Sequence, residues 1–307
     1  MSIQNRGIMK ITVIGESNVD IAVSSLAESN TKGCTPGAIA FHHGGVARNI
    51  AHNLCLLGHE VRLVSVFGND DFAKKMIADC RDIGMDLSQS SQYEAKSPIF
   101  LSFNDETGDM VSAVSDASIN ERMDLAWLKG KMDAINESEW VVADTLLSAE
   151  ALAYLIDHCE PPLFIDTVSP GKAMRLVEAM KQSEKHAIFA IKCNQAEALQ
   201  ITGENDMAQV AKTLYTNGIN NVYLTIGSSG VIHCFGGESL SYPALSTRII
   251  NVTGSGDAFF AGVIHGYAMG VDAEETVMYG LKMAKANCES EDTVNPVLPK
   301  DIHISKV

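Results

Sequence analysis

Ile250 to Gly262 reads INVTGSGDAFFAG, and the rest of the chain is read outward from it. The stretch starts as a β-like apolar run and breaks at Gly254-Ser255-Gly256. It then reaches Asp257 and continues as a small-and-aromatic helical pattern. Two glycines around a serine let backbone N–H groups converge on one small space. The helix that follows brings the positive end of its dipole to the same place. The expected product is an anion site, with phosphate as the fitting anion. Asp257 at its edge would repel phosphate. It suits instead a base that takes a proton from a hydroxyl about to attack phosphorus. The segment alone also allows a plain Gly-Ser-Gly turn with Asp at a helix start, so the remaining chain must separate the two.

The 307 residues are 46% hydrophobic and 20% charged, which supports a sizeable core and argues against disorder. The formal net charge of −15 disfavours a nucleic-acid polymer as partner. A free nucleoside, a sugar or a metal–nucleotide complex stays compatible, because such ligands meet a local site. Cys34, Cys55, Cys80, Cys159, Cys193, Cys234 and Cys288 are odd in number and form no C-x-x-C pair. Neither a disulfide framework nor a zinc knuckle follows. The N-terminal MSIQNRGIMK has no apolar signal region, and no run of about 18 apolar residues occurs. The expectation is a soluble cytoplasmic protein with no membrane partner.

Strand-like runs at 10–14, 61–68, 140–143, 163–165, 187–191 and 222–226 alternate with helical patterns. The helices are read from 44–58, 71–83, 125–136, 149–158, 173–180, 207–217, 257–269 and 273–288. That alternation predicts a mostly parallel sheet covered by helices on both faces. Residues 231–235 read as a returning hairpin strand. Two further stretches, about 16–43 and 97–115, are strand-like but break the alternation. They are expected to pair as a small separate sheet over the ligand end.

In such sheets ligands bind beyond the carboxyl ends of the strands. Polar or glycine residues fall at those ends in succession: Asn18 and Asp20, Asp144, Asp166, Asn194 and Glu197, Thr225 with Gly227 and Gly230, and Gly254–Asp257. Gly44-Gly45 stand immediately before a helix that carries Asn49. An Asn–Asp pair offers donors and acceptors for vicinal hydroxyls. The later positions are rich in glycine and N–H donors, with Glu197 able to organise hydrated magnesium. One polyol acceptor and one triphosphate donor fit this division, with Asp257 where they meet. His42 and His43 lack partners for a metal site and read as solvated or core. The chain has no Walker-type lysine loop, no G-x-G-x-x-G after the first strand, no G-x-S-x-G and no H-E-x-x-H.

With these residues assembled, the chain resembles the ribokinase-like (PfkB) carbohydrate kinases over essentially its whole length. Four motifs carry the resemblance: NVTGSGDAFFAG (251–262), GGVARNIAHNLCLLG (44–58), Asn194–Glu197 as N-x-x-E, and Thr225–Gly230 as T-x-G-x-x-G. GGVARNIAHNL with Arg48, VVADTLLSAEAL (141–152) and FIDTVSPGK (164–172) look most like the pseudouridine-phosphorylating branch. The resemblance implies an α/β, three-layer ribokinase-like fold with a mostly parallel central sheet and a small β-sheet lid. It implies one kinase domain over 1–307, with lid segments inserted at about 16–43 and 97–115. The implied reaction moves a phosphoryl group from ATP with Mg2+ to the 5′-hydroxyl of pseudouridine. Another nucleoside or a ribose-like sugar stays open as acceptor, as does a non-catalytic sensing protein on the same fold.

The family also implies roles. Asp257 would be the base, and the amides of Gly254, Ser255 and Gly256 would hold the transferring phosphoryl group. Asn18, Asp20, Gly44, Gly45 and Asn49 would bind the ribose-like ring, with Asp144 and Asp166 nearby. Asn194 and Glu197 would order phosphate and magnesium water, and Thr225, Gly227 and Gly230 would line the nucleotide. Lid closure would exclude water, and in many relatives lids pair into a homodimer. Many members carry Asp where Asn251 stands, a carboxylate that helps hold a monovalent cation, so that cation stays open here. Relatives often place Asn or His near the adenine at about Leu281–Lys282, where this chain has neither.

Overall fold

The computed structural model describes residues 7–25, 36–105, 110–185 and 188–302. The chain opens with strands β1 (Lys10–Ile14), β2 (Asn18–Ser25) and β3 (Gly37–Gly44), then helix α1 (Val46–Leu56). Strands β4 (Glu60–Val64) and β5 (Val66–Phe67), helix α2 (Asp71–Ile83) and strand β6 (Ser91–Gln92) follow. Next come β7 (Ile99–Asn104), β8 (Met110–Asp116), α3 (Leu125–Lys129) and α4 (Met132–Asn136). The regular alternation runs β9 (Trp140–Asp144), α5 (Ala149–His158), β10 (Leu163–Asp166), α6 (Pro170–Gln182), β11 (Ile188–Asn194) and α7 (Gln195–Thr202). It continues through α8 (Met207–Thr216), β12 (Ile219–Thr225), β13 (Val231–Phe235) and β14 (Glu238–Tyr242). Helices α9 (Ser255–Met269) and α10 (Ala273–Cys288) close the fold.

The main sheet has eight strands in the order β14-β13-β12-β11-β10-β9-β1-β4. Six of them, β4 through β12 in that order, are parallel. β13 and β14 extend the edge antiparallel. Parallel strands are covered on both faces, so they read as continuous apolar runs. β9 shows this: Val142 enters the core under α1, α9 and α10, while Val141 and Ala143 enter the core under α5 and α6. Three layers result. α9 is buried along most of its length between α1 and α10.

The two stretches outside the alternation do pair with each other. They make a four-stranded sheet, β3-β2-β7-β8. β2 lies parallel to β7, with Val19 opposite Ile99, and antiparallel to β3, with Asn18 opposite Gly44. This small sheet stands over the carboxyl ends of the parallel strands. Ile39, Phe41, Val111 and Val114 on it are each more than half exposed.

Several boundaries differ from the sequence reading. The helix expected over 125–136 is two short helices, because Gly130 and the non-helical Lys131 separate them. α6 starts at Pro170, where the missing N–H is harmless. α7 was not read as a helix; Asn194 and Glu197 open it with a reciprocal capping box. β14 was not read as a strand. Most of the loop expected at 31–37 and of the turn expected at 105–108 lies outside the described residues, as does Cys34. The six described cysteines are unpaired. Among the described residues no helix is long and apolar enough to cross a membrane.

Candidate active site

Asn18 and Asp20 leave β1 on the first residues of the lid. Asn18 Nδ2 donates to Asp20 Oδ1 at 2.8 Å. Gly44 sits directly across, and a Cβ there would collide with the Asp20 carboxylate. Gly45 holds φ at 96°, in the glycine-favouring region, and packs against the Glu16 carbonyl. The Gly-Gly pair thus lets the lid strand meet α1 beside two polar side chains. Burial pushes the Asp20 carboxyl above its usual range, while Asn18, His42 and Arg48 oppose the shift.

One turn into α1, Asn49 Nδ2 donates to Asp257 Oδ2 at 2.9 Å. Asn49 Oδ1 and Asn18 Oδ1 are buried and have no protein partner. A buried acceptor without a donor is costly. Two of them beside a carboxylate fit a ligand that brings hydroxyl protons.

Asp257 lies in the first turn of α9 and is 7% exposed. Burial raises its carboxyl well above the ordinary range, and the Asp166 charge adds to this. Lys192 and the Asn49 hydrogen bond act the other way. Gly254 caps the helix with φ at 79°, packed so tightly on the Thr293 carbonyl that no Cβ fits. Of the three amides expected to form the anion hole, the Ser255 N–H is already donated to Val252 O at 3.2 Å. That bond shapes the turn, and the amides that follow in the first turn of α9 have no intrahelical acceptor.

Lys192 lies beside the same turn, and the sequence reading passed over it. It is 7% exposed, and its Nζ bonds Asp166 Oδ2 at 3.0 Å. A Cβ on Gly256 would lie 2.9 Å from Nζ, so the ammonium sits beside the first turn of α9. Burial alone would lower its pKa, but Asp166, Glu197 and Asp257 hold it above the usual lysine range. The signal available in sequence was one lysine inside the buried run Ile188–Asn194.

The strand-end carboxylates are tied down rather than open. Asp144 accepts the Glu16 N–H at 2.8 Å and the Leu146 N–H at 2.9 Å. Burial still pushes it up to about 7. Asp166 accepts the Val168 N–H at 2.9 Å and faces Lys192. Glu197 accepts from the Thr167 hydroxyl at 2.6 Å, the Asn194 N–H at 2.8 Å and Asn194 Nδ2 at 2.6 Å. With both oxygens engaged, Glu197 fits a water-mediated contact to a divalent ion better than direct ligation.

Thr225 lies at the end of β12 with its hydroxyl donated to Cys193 O at 3.3 Å. Gly227 opens a short 3-10 turn and has open space where a side chain would be. Gly230 has φ at 103°, and a Cβ there would collide with the Tyr242 carbonyl. Packing of the returning strands therefore accounts for this glycine.

The turn before α9 is laced to the tail by asparagine amides. Asn251 Nδ2 donates to Glu291 O at 3.2 Å, and its Oδ1 accepts the Thr253 N–H at 2.9 Å. Asn287 Nδ2 donates to Thr253 O at 2.8 Å, and Asn295 Nδ2 to Ala286 O at 2.7 Å. Carbonyls that face amide donors, with no carboxylate among them, do not fit a monovalent cation.

The chain and its fold are similar to known proteins. The chain is 31% identical to the pseudouridine kinase of Escherichia coli K12 over 296 residues, covering 94% of this chain and 93% of that protein. It is 27% identical over 305 residues to the guanosine-inosine kinase of Exiguobacterium acetylicum, covering 95% and 97%. The fold superposes on the ribokinase of Thermotoga maritima with a TM-score of 0.83 at 17% identity, covering 96% and 98%. The family model described as pfkB family carbohydrate kinase matches residues 9–301. The chain belongs to the pfkB family of carbohydrate kinases.

Proposed function

We propose that this kinase transfers the γ-phosphoryl group of ATP to the 5′-hydroxyl of pseudouridine, giving pseudouridine 5′-phosphate and ADP. The observation that carries the reading is Asn49 bound to Asp257 with its own Oδ1 unpartnered. A hydroxyl placed there meets a base and an acceptor together. Three further points support pseudouridine in particular: the E. coli relative of that name, and the stretches at 44–54 and 164–172. The guanosine-inosine kinase relative supports a second reading, a kinase of another nucleoside.

The chemistry divides among the residues described. Asp257 takes the proton of the 5′-hydroxyl as its oxygen attacks the γ-phosphorus. The bond from that phosphorus to the bridging oxygen breaks, and ADP leaves. The first α9 amides and Lys192 face the charge that spreads over the transferring oxygens. Mg2+ arriving on the triphosphate would neutralise phosphate charge, with Asn194 and Glu197 ordering its water. Asn18 and Asp20 hold the ring hydroxyls, and the lid above them excludes water. The exposed apolar lid residues suit pairing with a second copy.

The test is product identity. Phosphorus NMR of the reaction mixture should show the new phosphate coupled to the 5′ protons of the nucleoside. Phosphate on a 2′ or 3′ oxygen, or on a free sugar only, would overturn this assignment.

A further inference from the structure

A cavity of about 820 Å³ lies between the lid and the ends of β1, β9 and β10. The residues that face it on the lid and on α6 are distinct from those proposed to hold the ring hydroxyls or the phosphates. Its polar lining includes Glu16, Asn120, Ser115 and Lys172, and Phe100 supplies an aromatic wall. It adjoins the hydroxyl-binding residues through Glu16, whose N–H bonds Asp144 and whose carbonyl packs against Gly45.

Asn120 is 6% exposed. Its Nδ2 donates to Glu16 Oε1 at 2.6 Å, which fixes the amide orientation, because a carboxylate oxygen accepts. That leaves Asn120 Oδ1 buried with no protein donor. An ammonium, Lys172, lines the same space, with Glu16 among the charges it feels. Val168, on the wall, holds φ at 62°, and is the single non-glycine residue with positive φ among the described residues. A β-branched residue in that region is strained, and such strain gathers at ligand sites.

An acceptor atom and an ammonium beside an aromatic wall suit a flat ring with an N–H next to a carbonyl. A pentose alone has no such edge. We propose that this cavity reads the base of the nucleoside acceptor, with Asn120 Oδ1 accepting the imide N–H of a uracil ring and Lys172 donating to a ring carbonyl. Glu16 positions Asn120. The proposal rests on the nucleoside-kinase reading and names the part of the site that makes the acceptor a nucleoside.

Steady-state kinetics with pseudouridine, its N3-methyl derivative and ribose test it, in the wild type, Asn120→Ala and Lys172→Met. Methylation removes the imide proton, so the wild type should show a KM raised about 10-fold or more, the scale of one lost buried hydrogen bond. Asn120→Ala should raise KM for pseudouridine by a similar factor and shrink the gap to the methylated compound. Lys172→Met should raise KM for both nucleosides. Calorimetry with a non-hydrolysable ATP analogue should give unchanged affinity, which reports that the variants fold. Equal wild-type KM for pseudouridine and its N3-methyl derivative overturns the subsite while the kinase reading stands. Turnover of ribose with no nucleoside accepted overturns both.

Discussion

Asn49 on α1 and Asp257 on α9 are joined by a 2.9 Å hydrogen bond across 208 residues of sequence. One helix follows the Gly44-Gly45 turn; the other begins at the Gly-Ser-Gly turn. In the proposed reaction their contact puts the base at the seam between the two substrates. Asp257→Asn should therefore lower kcat by about 10²-fold or more, the scale of a lost general base. Calorimetry should show ATP-analogue binding retained. Near-normal turnover would remove Asp257 from the proton transfer.

In the proposed reaction Asn49 acts on the acceptor through its unpartnered Oδ1 and on the base through Nδ2. Asn49→Ala should raise the acceptor KM by about 10-fold and lower kcat, because one buried hydrogen bond is lost on each side. The KM for ATP should not move. A change confined to ATP would place Asn49 elsewhere in the mechanism.

The pH profile follows from the charges around Asp257. Burial, then Asp166, lift its carboxyl from 3.8, and Lys192 restrains the rise. The base works ionised, so kcat/KM should increase with pH through the raised value. The acid limb thus lies above the ordinary carboxylate range. Lys192→Met removes the restraint, so the limb should move to higher pH. It also leaves Asp166 unpaired and buried, at a cost to stability on the order of 3–5 kcal/mol. Paired pH–rate profiles and thermal melts measure both effects.

The asparagine lacing of residues 251–295 predicts indifference to monovalent cations. Activity and melting temperature of the wild type should match in potassium, sodium and choline chloride at equal ionic strength. Asn251→Asp replaces the donated amide with a carboxylate facing a carbonyl. It should lose about 1–3 kcal/mol in choline and regain it in potassium. Strong potassium activation of the wild type would contradict the amide lacing.

The lid surface predicts self-association. Ile39 and Phe41 on β3 and Val111 and Val114 on β8 lie exposed on the two edge strands of one small sheet, and exposed apolar surface of this kind marks interaction surfaces. Sedimentation should give a dimer, and Phe41→Lys with Val114→Lys should give a monomer that keeps its melting temperature.

Much of the fold was legible because its polar candidates stand at strand ends. β1, β9, β10 and β12 announced themselves as apolar runs ending in polar residues, and the Gly-Ser-Gly-Asp turn marked the start of α9. The lid was legible as two stretches that broke the alternation. What escaped depends on contacts between distant residues. Asp144 looked like an open acid; the register that sets Ile14 beside Ala143 turns it into a clamp for the Glu16 loop. Gly230 looked like a nucleotide contact, and the Tyr242 carbonyl requires it. Lys192 hid inside a buried strand, because its partner Asp166 comes from the neighbouring strand. Asn120 lay in a segment with no motif, and Glu16 among residues read only as a turn.

An ADP-release assay with pseudouridine, uridine, adenosine, ribose and fructose 6-phosphate at matched concentrations ranks the acceptors. The kcat/KM should be largest for pseudouridine. A clear preference for ribose or the sugar phosphate would contradict it.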